Sequence, residues 1–81
     1  MRIRVLLFAG IATKIGADFV DLDLSPDSTV NDVIQRLGRD FPESLALLSR
    51  SRVAINRSYV SLETRVNVGD EVAVIPPVSG G

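Results

Sequence analysis

Few side chains in this 81-residue sequence are of the types that carry out chemistry. Asp18, Asp21 and Asp23 lie close together, and grouped carboxylates can bind magnesium or act as acid and base. Asp21 and Asp23, however, alternate with apolar residues as the solvent side of a strand does, so surface carboxylates are the favoured interpretation. Lys14, the only lysine, is likewise interpreted as a surface residue.

The sequence contains no cysteine and no histidine. This excludes disulfides, a cysteine nucleophile, a Ser–His–Asp arrangement, and zinc, copper or iron–sulfur sites built on thiolate or imidazole. We therefore expect no metal site and no stably bound cofactor. The remaining candidate is a group that composition does not count, the terminal carboxylate on Gly81.

The end of the chain has the properties of a narrow, extended tail. Pro76 has no N–H group and so ends the hydrogen-bond ladder of a preceding strand, and each proline favours extended backbone in the residue before it. Glycine has no side chain, so another protein could close tightly around the last residues. We expect Gly81 to be the reactive end of a tail that consists of Pro76, Pro77, Val78, Ser79, Gly80 and Gly81.

Composition and charge favour a single globular domain. Apolar residues make up 46% of the chain and charged residues 23%, which is ordinary globular usage. The net charge is −1 and the arginines are scattered along the chain, so we expect no nucleic-acid partner. No apolar run reaches the roughly 18 residues of a membrane span, and the N-terminus lacks the layout of a signal peptide. We expect a cytoplasmic protein without a membrane partner.

Periodicity predicts several strands and one main helix. The strongest helix signal is a capping box at Thr29 and Asp32, followed by apolar residues at helical spacing. Gly38 and Pro42 are expected to bracket the end of this helix. The predicted strands are residues 2–8, 19–24, 52–55, 59–60 and 71–75, the helical stripe is Val30, Val33, Ile34 and Leu37, and single helical turns are expected near 12–15 and 44–51. Asn56, Tyr59 and Ser61 are interpreted as ordinary turn and strand residues.

This order of elements is typical of an α+β protein with the β-grasp, or ubiquitin-like, fold. That fold has a mixed sheet, here of four or five strands, with one main helix across it. Residues 71–75 are apolar on both faces, which indicates an interior strand with a parallel neighbour, the first strand. We expect one domain at residues 1–75 and a C-terminal tail at residues 76–81.

One helix covers only one face of such a sheet. Leu6 and Phe8 point away from the face of Val5 and Leu7, and Ile75 adds to the apolar character of the last strand. Either residues 9–17 or 41–48 fold over the second face, or that face stays exposed and apolar for a partner.

The ending Val-Gly-Asp-Glu-Val-Ala-Val-Ile-Pro-Pro-Val-Ser-Gly-Gly, residues 68–81, resembles the C-terminal signature of the molybdopterin synthase small subunit. That subunit is a MoaD-type sulfur carrier of the MoaD/ThiS family. The resemblance spans the whole chain and is specific at this ending. Further similar positions are Phe8 and Ala9 after the first strand, the helix start at 29–32, Phe41 and Pro42, and Ile55 and Asn56.

The resemblance implies a function for the tail. An adenylyltransferase of the ubiquitin-activating type would use ATP to adenylate Gly81, and a sulfur donor would convert it to a thiocarboxylate. The tail would then enter the synthase large subunit, in a heterotetramer of two small and two large subunits, and give sulfur to the dithiolene of molybdopterin. Phe8 and Ile75 fall on the family's partner-facing surface, and the chain alone would not be an enzyme.

Other functions share the same fold and ending. Sulfur carriers for thiamin synthesis or tRNA thiolation also end in Gly-Gly, although the thiamin carriers usually lack Pro-Pro-Val-Ser. A ubiquitin-like modifier or interaction module would instead join Gly81 to a lysine, or leave it free. The Pro-Pro-Val-Ser element and the full-length similarity favour the molybdopterin carrier.

Overall fold

A computed structural model describes residues 1–77, in which a five-stranded mixed sheet carries its helices on one face. The sheet confirms the predicted α+β β-grasp architecture. In chain order the elements are β1 Arg2–Leu7, α1 Ala9–Ile15, β2 Phe19–Asp23, α2 Val30–Asp40, a 3-10 turn Pro42–Ser44, α3 Leu45–Leu48, β3 Arg52–Ile55, β4 Ser58–Val60 and β5 Val72–Ile75.

The strand order β2-β1-β5-β3-β4 places the last strand in the middle of the sheet. β5 runs parallel to β1 and antiparallel to β3, and the β1–β2 and β3–β4 pairs are antiparallel. Val72 and Val74 are completely buried, as expected for an interior strand. The predicted parallel pairing of the first and last strands is therefore confirmed.

The main helix α2 begins at the predicted capping box. The Thr29 N–H donates to Asp32 Oδ2 at 2.8 Å, and the Asp32 N–H donates to Thr29 Oγ1 at 3.4 Å. Val30, Val33 and Leu37 are fully buried against the sheet. These contacts hold α2 across the sheet, because the apolar stripe of the helix is buried against the apolar face of the sheet.

The helix α2 ends at Asp40, between Gly38 and Pro42, as predicted. Gly38 lies inside the helix and is buried, and the helix continues to Asp40 before Phe41 leaves helical geometry ahead of Pro42. A Cβ on Gly38 would lie 2.9 Å from Leu45 Cδ2, so the glycine allows α3 to approach α2 closely. Proline disfavours helical backbone in the residue before it, which accounts for the end at this point.

α1 is longer than the helical turn predicted near residues 12–15. It starts directly after β1, ends at Gly16 with φ of 84°, and buries Ile11 completely. α1 contacts the 42–48 segment, which in turn packs against α2. Both segments proposed as covers for the second face therefore lie on the same side of the sheet as α2, and within residues 1–77 that second face carries no helix. We call it the open face.

None of the helices within residues 1–77 combines the length and the apolar character that a membrane crossing requires.

Replacement of Thr29 by Ala should destabilise the fold by about 1 kcal/mol, because the first turn of α2 loses its side-chain acceptor. Urea unfolding followed by far-UV circular dichroism measures this change. Thr13→Ala is the matched control, since Thr13 is exposed in α1 and its hydroxyl contacts only the Ala9 carbonyl at 3.3 Å. Thr29→Ser should retain most of the stability, and equal unfolding midpoints for Thr29→Ala and the control would contradict the capping role.

Candidate functional site

The candidate site begins where β5 ends. Pro76 is buried next to Ile75, and Pro77 is exposed, so packing extends one residue past the strand. A groove beside these prolines is lined by Arg50, Arg52, Tyr59, Ile75, Pro76 and Pro77. Because β5 is the central strand, the chain leaves the domain from the middle of the sheet.

Four of the predicted tail residues, Val78, Ser79, Gly80 and Gly81, lie outside the residues that the structure describes. The extended course of the tail and the role of Gly81 stay predictions. The structure does describe Pro76 and Pro77, which we call the tail base. They lie at the end of the central strand and beside the open face.

A single row of side chains crosses the open face on all five strands. The strand registers pair Leu6 with both Phe19 and Ala73, and pair Ala54 with both Ala73 and Tyr59. Phe19 and Tyr59, at the two ends, are 44% and 56% exposed, whereas both alanines are buried between their neighbours. The row is therefore a shallow apolar floor with an aromatic ring at each side.

Phe8 and Ile75, the two residues predicted to face a partner, lie together on this face. They line one groove with Leu6, Ala54, Arg57, Tyr59, Glu71 and Ala73. Phe8 is 46% exposed and Ile75 is half-buried. The structure thus brings the two predicted residues into one apolar surface at the tail base, and their contact with a partner stays a prediction.

Tyr59 and Arg52 were not recognised from the sequence as parts of this surface. The Arg52 guanidinium carbon lies 4.4 Å from the centroid of the Tyr59 ring, and Tyr59 lines both grooves. The signal that could have found them is register: the hairpin at Asn56 and Arg57, both with positive φ, is a two-residue turn that sets Tyr59 opposite Ala54.

At the opposite end of the open face, on β1 and β2, Arg4 and Asp21 form an ion pair. Arg4 donates to both oxygens of Asp21, at 2.9 and 3.2 Å, and its guanidinium carbon lies 4.0 Å from the centroid of the Phe19 ring. The hydrogen bond from Arg4 lowers the pKa of Asp21 below its ordinary value. Asp21 is thus occupied as a partner of Arg4, which agrees with the interpretation of the acidic group as surface carboxylates.

Within residues 1–77, no cluster of three Asp or Glu side chains has the geometry to hold a metal ion. The side chains that line the two grooves are apolar, aromatic and cationic, apart from Glu71, whose carboxylate lies 3.7 Å from Arg57. Side chains of these types can bind a protein surface and position the tail.

The fold and the site together define a ubiquitin-like β-grasp protein with an exposed apolar groove at the base of its C-terminal tail. Residues 5–81 match the ThiS family, and the chain belongs to that family.

The comparisons with individual proteins agree with this assignment. The chain is 40% identical to the molybdopterin synthase sulfur carrier subunit of Dictyostelium discoideum, over 96% of this chain and 94% of that one. The crystal structure of small archaeal modifier protein 1 from Haloferax volcanii superposes with a TM-score of 0.88 and 29% identity, over 100% of both chains. A complex of subunits 1 and 2 of the molybdopterin-converting factor from Helicobacter pylori gives a TM-score of 0.69 and 21% identity, over 100% of both chains, and shows the shared fold.

The pKa of Asp21 should rise toward its ordinary value when Arg4 is replaced by Gln. In the folded wild type the pKa is lowered, so the pair stabilises the fold above the unfolded-state pKa of Asp21 and this stabilisation is lost as the pH falls through the folded-state pKa. An NMR titration of the Asp21 carboxyl carbon measures the pKa of Asp21 in the folded wild type and in the folded Arg4→Gln variant. Identical midpoints in the wild type and Arg4→Gln would contradict the assignment of the shift to Arg4.

Proposed function

We propose that this chain is the sulfur carrier subunit of a molybdopterin synthase, with the carboxylate of Gly81 as the group that receives and delivers sulfur. The observation that carries the proposal is the position of the tail base. The Pro-Pro-Val-Ser-Gly-Gly ending follows the central strand directly and starts beside the open face, so a protein that docks on that face meets the tail at its origin.

The chemistry requires activation by another enzyme, because a carboxylate is a poor acyl donor. Its negative charge is delocalised, and an oxide ion is a poor leaving group. In the proposed sequence the Gly81 carboxylate attacks the α-phosphorus of ATP, pyrophosphate leaves, and an acyl-adenylate forms on an adenylyltransferase of the ubiquitin-activating type. A sulfide-equivalent donor then displaces AMP and leaves a thiocarboxylate. ATP is therefore a cosubstrate of that enzyme, and the proposed reaction is a cytoplasmic one.

In the second half of the proposal, the thiocarboxylate enters the large subunit of the synthase. Its sulfur attacks a pterin precursor there, water then hydrolyses the bond between that sulfur and the Gly81 carbonyl so that the carboxylate is regenerated, and two such transfers supply the dithiolene sulfurs. A glycine end suits this step, because a buried channel can close around backbone that has no side chains. Pro76, Pro77, Val78, Ser79 and Gly80 would occupy that channel, in an assembly of two small and two large subunits.

The open face supplies the contact that holds the tail in place. Phe8, Tyr59 and Ile75 are apolar or aromatic and exposed or half-buried in the free chain, and interface cores are enriched in such residues. The chain provides no catalytic side chain in this account. It contributes the sulfur-bearing atom and the docking surface, and the partner contributes the pterin pocket.

A second function, covalent modification of proteins, is favoured by one specific observation. The chain has the fold of the Haloferax volcanii small archaeal modifier protein over its full length. In that case the activated Gly81 would form an amide with a lysine of another protein instead of a thiocarboxylate. The two functions use the same adenylation step and differ in the nucleophile that displaces AMP.

After incubation with an adenylyltransferase, ATP and a sulfur donor, the intact chain should gain the mass difference of one oxygen replaced by one sulfur. Mass spectrometry of the whole chain measures this change. The matched control has one alanine appended after Gly81, which moves the carboxylate away from the activated position and should abolish the gain while the circular dichroism spectrum stays the same.

Three outcomes would count against the sulfur-carrier proposal. One is a wild-type chain that keeps its carboxylate under conditions that charge a known carrier. The second is sulfur gain by the extended variant without removal of the added alanine. The third is conversion of Gly81 into amide-linked conjugates with no thiocarboxylate, which would support the modifier function.

Replacement of Phe8 by Asp should weaken binding to the large subunit by roughly 10-fold or more, because a charge would be buried in an apolar interface. Isothermal titration calorimetry with the large subunit measures the change. Leu62→Asp is the matched control, since Leu62 is 51% exposed and lies beside the start of α2, where its carbonyl accepts a hydrogen bond from the Asn31 N–H. Equal losses for both variants, or none for Phe8→Asp, would contradict docking through the open face.

A further inference from the structure

We propose that the large subunit presents at least two carboxylates to a cluster of arginines at the tail base. The cluster, which we call the tail-base cluster, consists of Arg50, Arg52 and Arg57. The inference rests on the proposed function, since it names the chemistry of the partner surface that this site accepts.

The first observation is the location of the cluster. Arg52 lies directly opposite Ile75 in the β3–β5 ladder, and Arg50 and Arg52 line the groove that contains Pro76 and Pro77. Arg57 lines the adjoining groove with Phe8, and the two grooves share Tyr59 and Ile75. Any protein that takes up the tail from the open face must therefore pass over these guanidinium groups.

The second observation is the balance of charge in the cluster. Among the ion pairs within residues 1–77, none includes Arg50 or Arg52. Arg57 reaches only Glu71, at 3.7 Å, and its side chain is 88% exposed. Three cations thus stand against one carboxylate, in a chain whose overall net charge is −1.

The opposite side of the same face provides the contrast. Arg4 is paired there with Asp21 by two hydrogen bonds, and Arg2 stands opposite Asp23 in the β1–β2 register, so the charges on that side balance. The open face is therefore asymmetric, with a neutral ion pair near Phe19 and an excess of positive charge near the tail base. Such an asymmetry orients a partner on an otherwise apolar surface, because only one docking direction matches its carboxylates to the arginines.

The third observation concerns Arg52 itself. Its guanidinium stacks on the Tyr59 ring, and this stacking restricts the side chain before any partner arrives. A restricted guanidinium loses less entropy when it forms hydrogen bonds, and its planar fork matches a carboxylate in bidentate geometry. Docking on the apolar groove would also remove water from the cluster, so unpaired arginines there would be costly unless the partner supplied carboxylates.

Carboxylates are favoured over nucleic-acid phosphates as the partner groups. The cluster borders an apolar groove that includes Phe8 and Ile75, whereas phosphate-backbone contacts need an extended basic surface. A protein surface with a few carboxylates around an apolar centre matches all of these features.

The experiment reverses the charge of the cluster with the double variant Arg50→Glu/Arg52→Glu in the full chain. The probe is the recombinant large subunit of the synthase from the same genome, and binding is measured by surface plasmon resonance at about 0.05 M and about 0.5 M NaCl. The matched control, Arg39→Glu/Arg65→Glu, makes the same change in net charge. Arg39 and Arg65 are exposed, and each takes part in a single ion pair, at 3.6 and 3.5 Å.

We expect the tail-base variant to bind roughly 10-fold or more weakly at low salt, mainly through slower association, with a smaller difference at high salt. The control should stay within about twofold of the wild type. The neutral variant Arg50→Gln/Arg52→Gln should show an intermediate loss, and it serves as the test if the charge reversal impairs folding in circular dichroism.

Two results would overturn the inference alone, while sulfur gain by the wild type still supports the proposed function. The first is unchanged affinity of the tail-base variant at low salt, or a loss equal to that of the control. The second is loss of binding to a single-stranded RNA oligonucleotide with unchanged affinity for the large subunit, which would indicate a nucleic-acid surface. Failure of the wild type both to gain sulfur and to bind the large subunit would overturn the inference and the proposed function together.

Discussion

The parallel pairing of β1 with β5 is the constraint on which the rest of this structure depends. Two parallel strands cannot be joined by a tight turn, so the chain must cross the sheet between them, and α2 provides the crossing. The crossing places the helix on one face, where its stripe covers Val5, Val72 and Val74. The same pairing puts β5 in the centre of the sheet, which in turn brings the start of the tail to the middle of the molecule.

The open face follows from the same constraint. α1 and α3 pack beside α2 instead of crossing to the other side, because Gly38 lets Leu45 approach the helix and Ile11 is buried in the shared core. The second face is left with two buried alanines between two aromatic rings. Exposed apolar surfaces of this kind are typical of sites where proteins bind. A protein whose chemistry resides on a tail gains from this division, since the domain can bind while the tail reacts.

The sequence was sufficient for the parts of the fold that depend on local or strictly periodic signals. The spacing of Thr29 and Asp32 is typical of a capping box and predicted the start of α2. The segment of β5 is apolar on both faces, which predicted an interior strand. The extent of α1 was harder to predict, because it is decided by tertiary contacts. Gly38 is a typical helix terminator in sequence, and only the closeness of Leu45 explains why it lies inside the helix.

The site was predictable in its apolar members and not in its cations. Phe8 and Ile75 could be found because the predicted strand alternation places each on the side opposite a buried neighbour, and because the family resemblance implies that both face a partner. Arg52 and Tyr59 become informative only when the register of three strands is known, since neither is unusual in its own segment.

The central position of β5 also has a mechanical consequence. A pull on the tail along the strand axis loads the ladders to β1 and β3 in shear, so the hydrogen bonds on both sides of β5 resist together. A tail attached to an edge strand such as β4 would transmit the same force to one ladder, which could peel open bond by bond. The domain of this protein should therefore keep its shape when its C-terminal end is pulled.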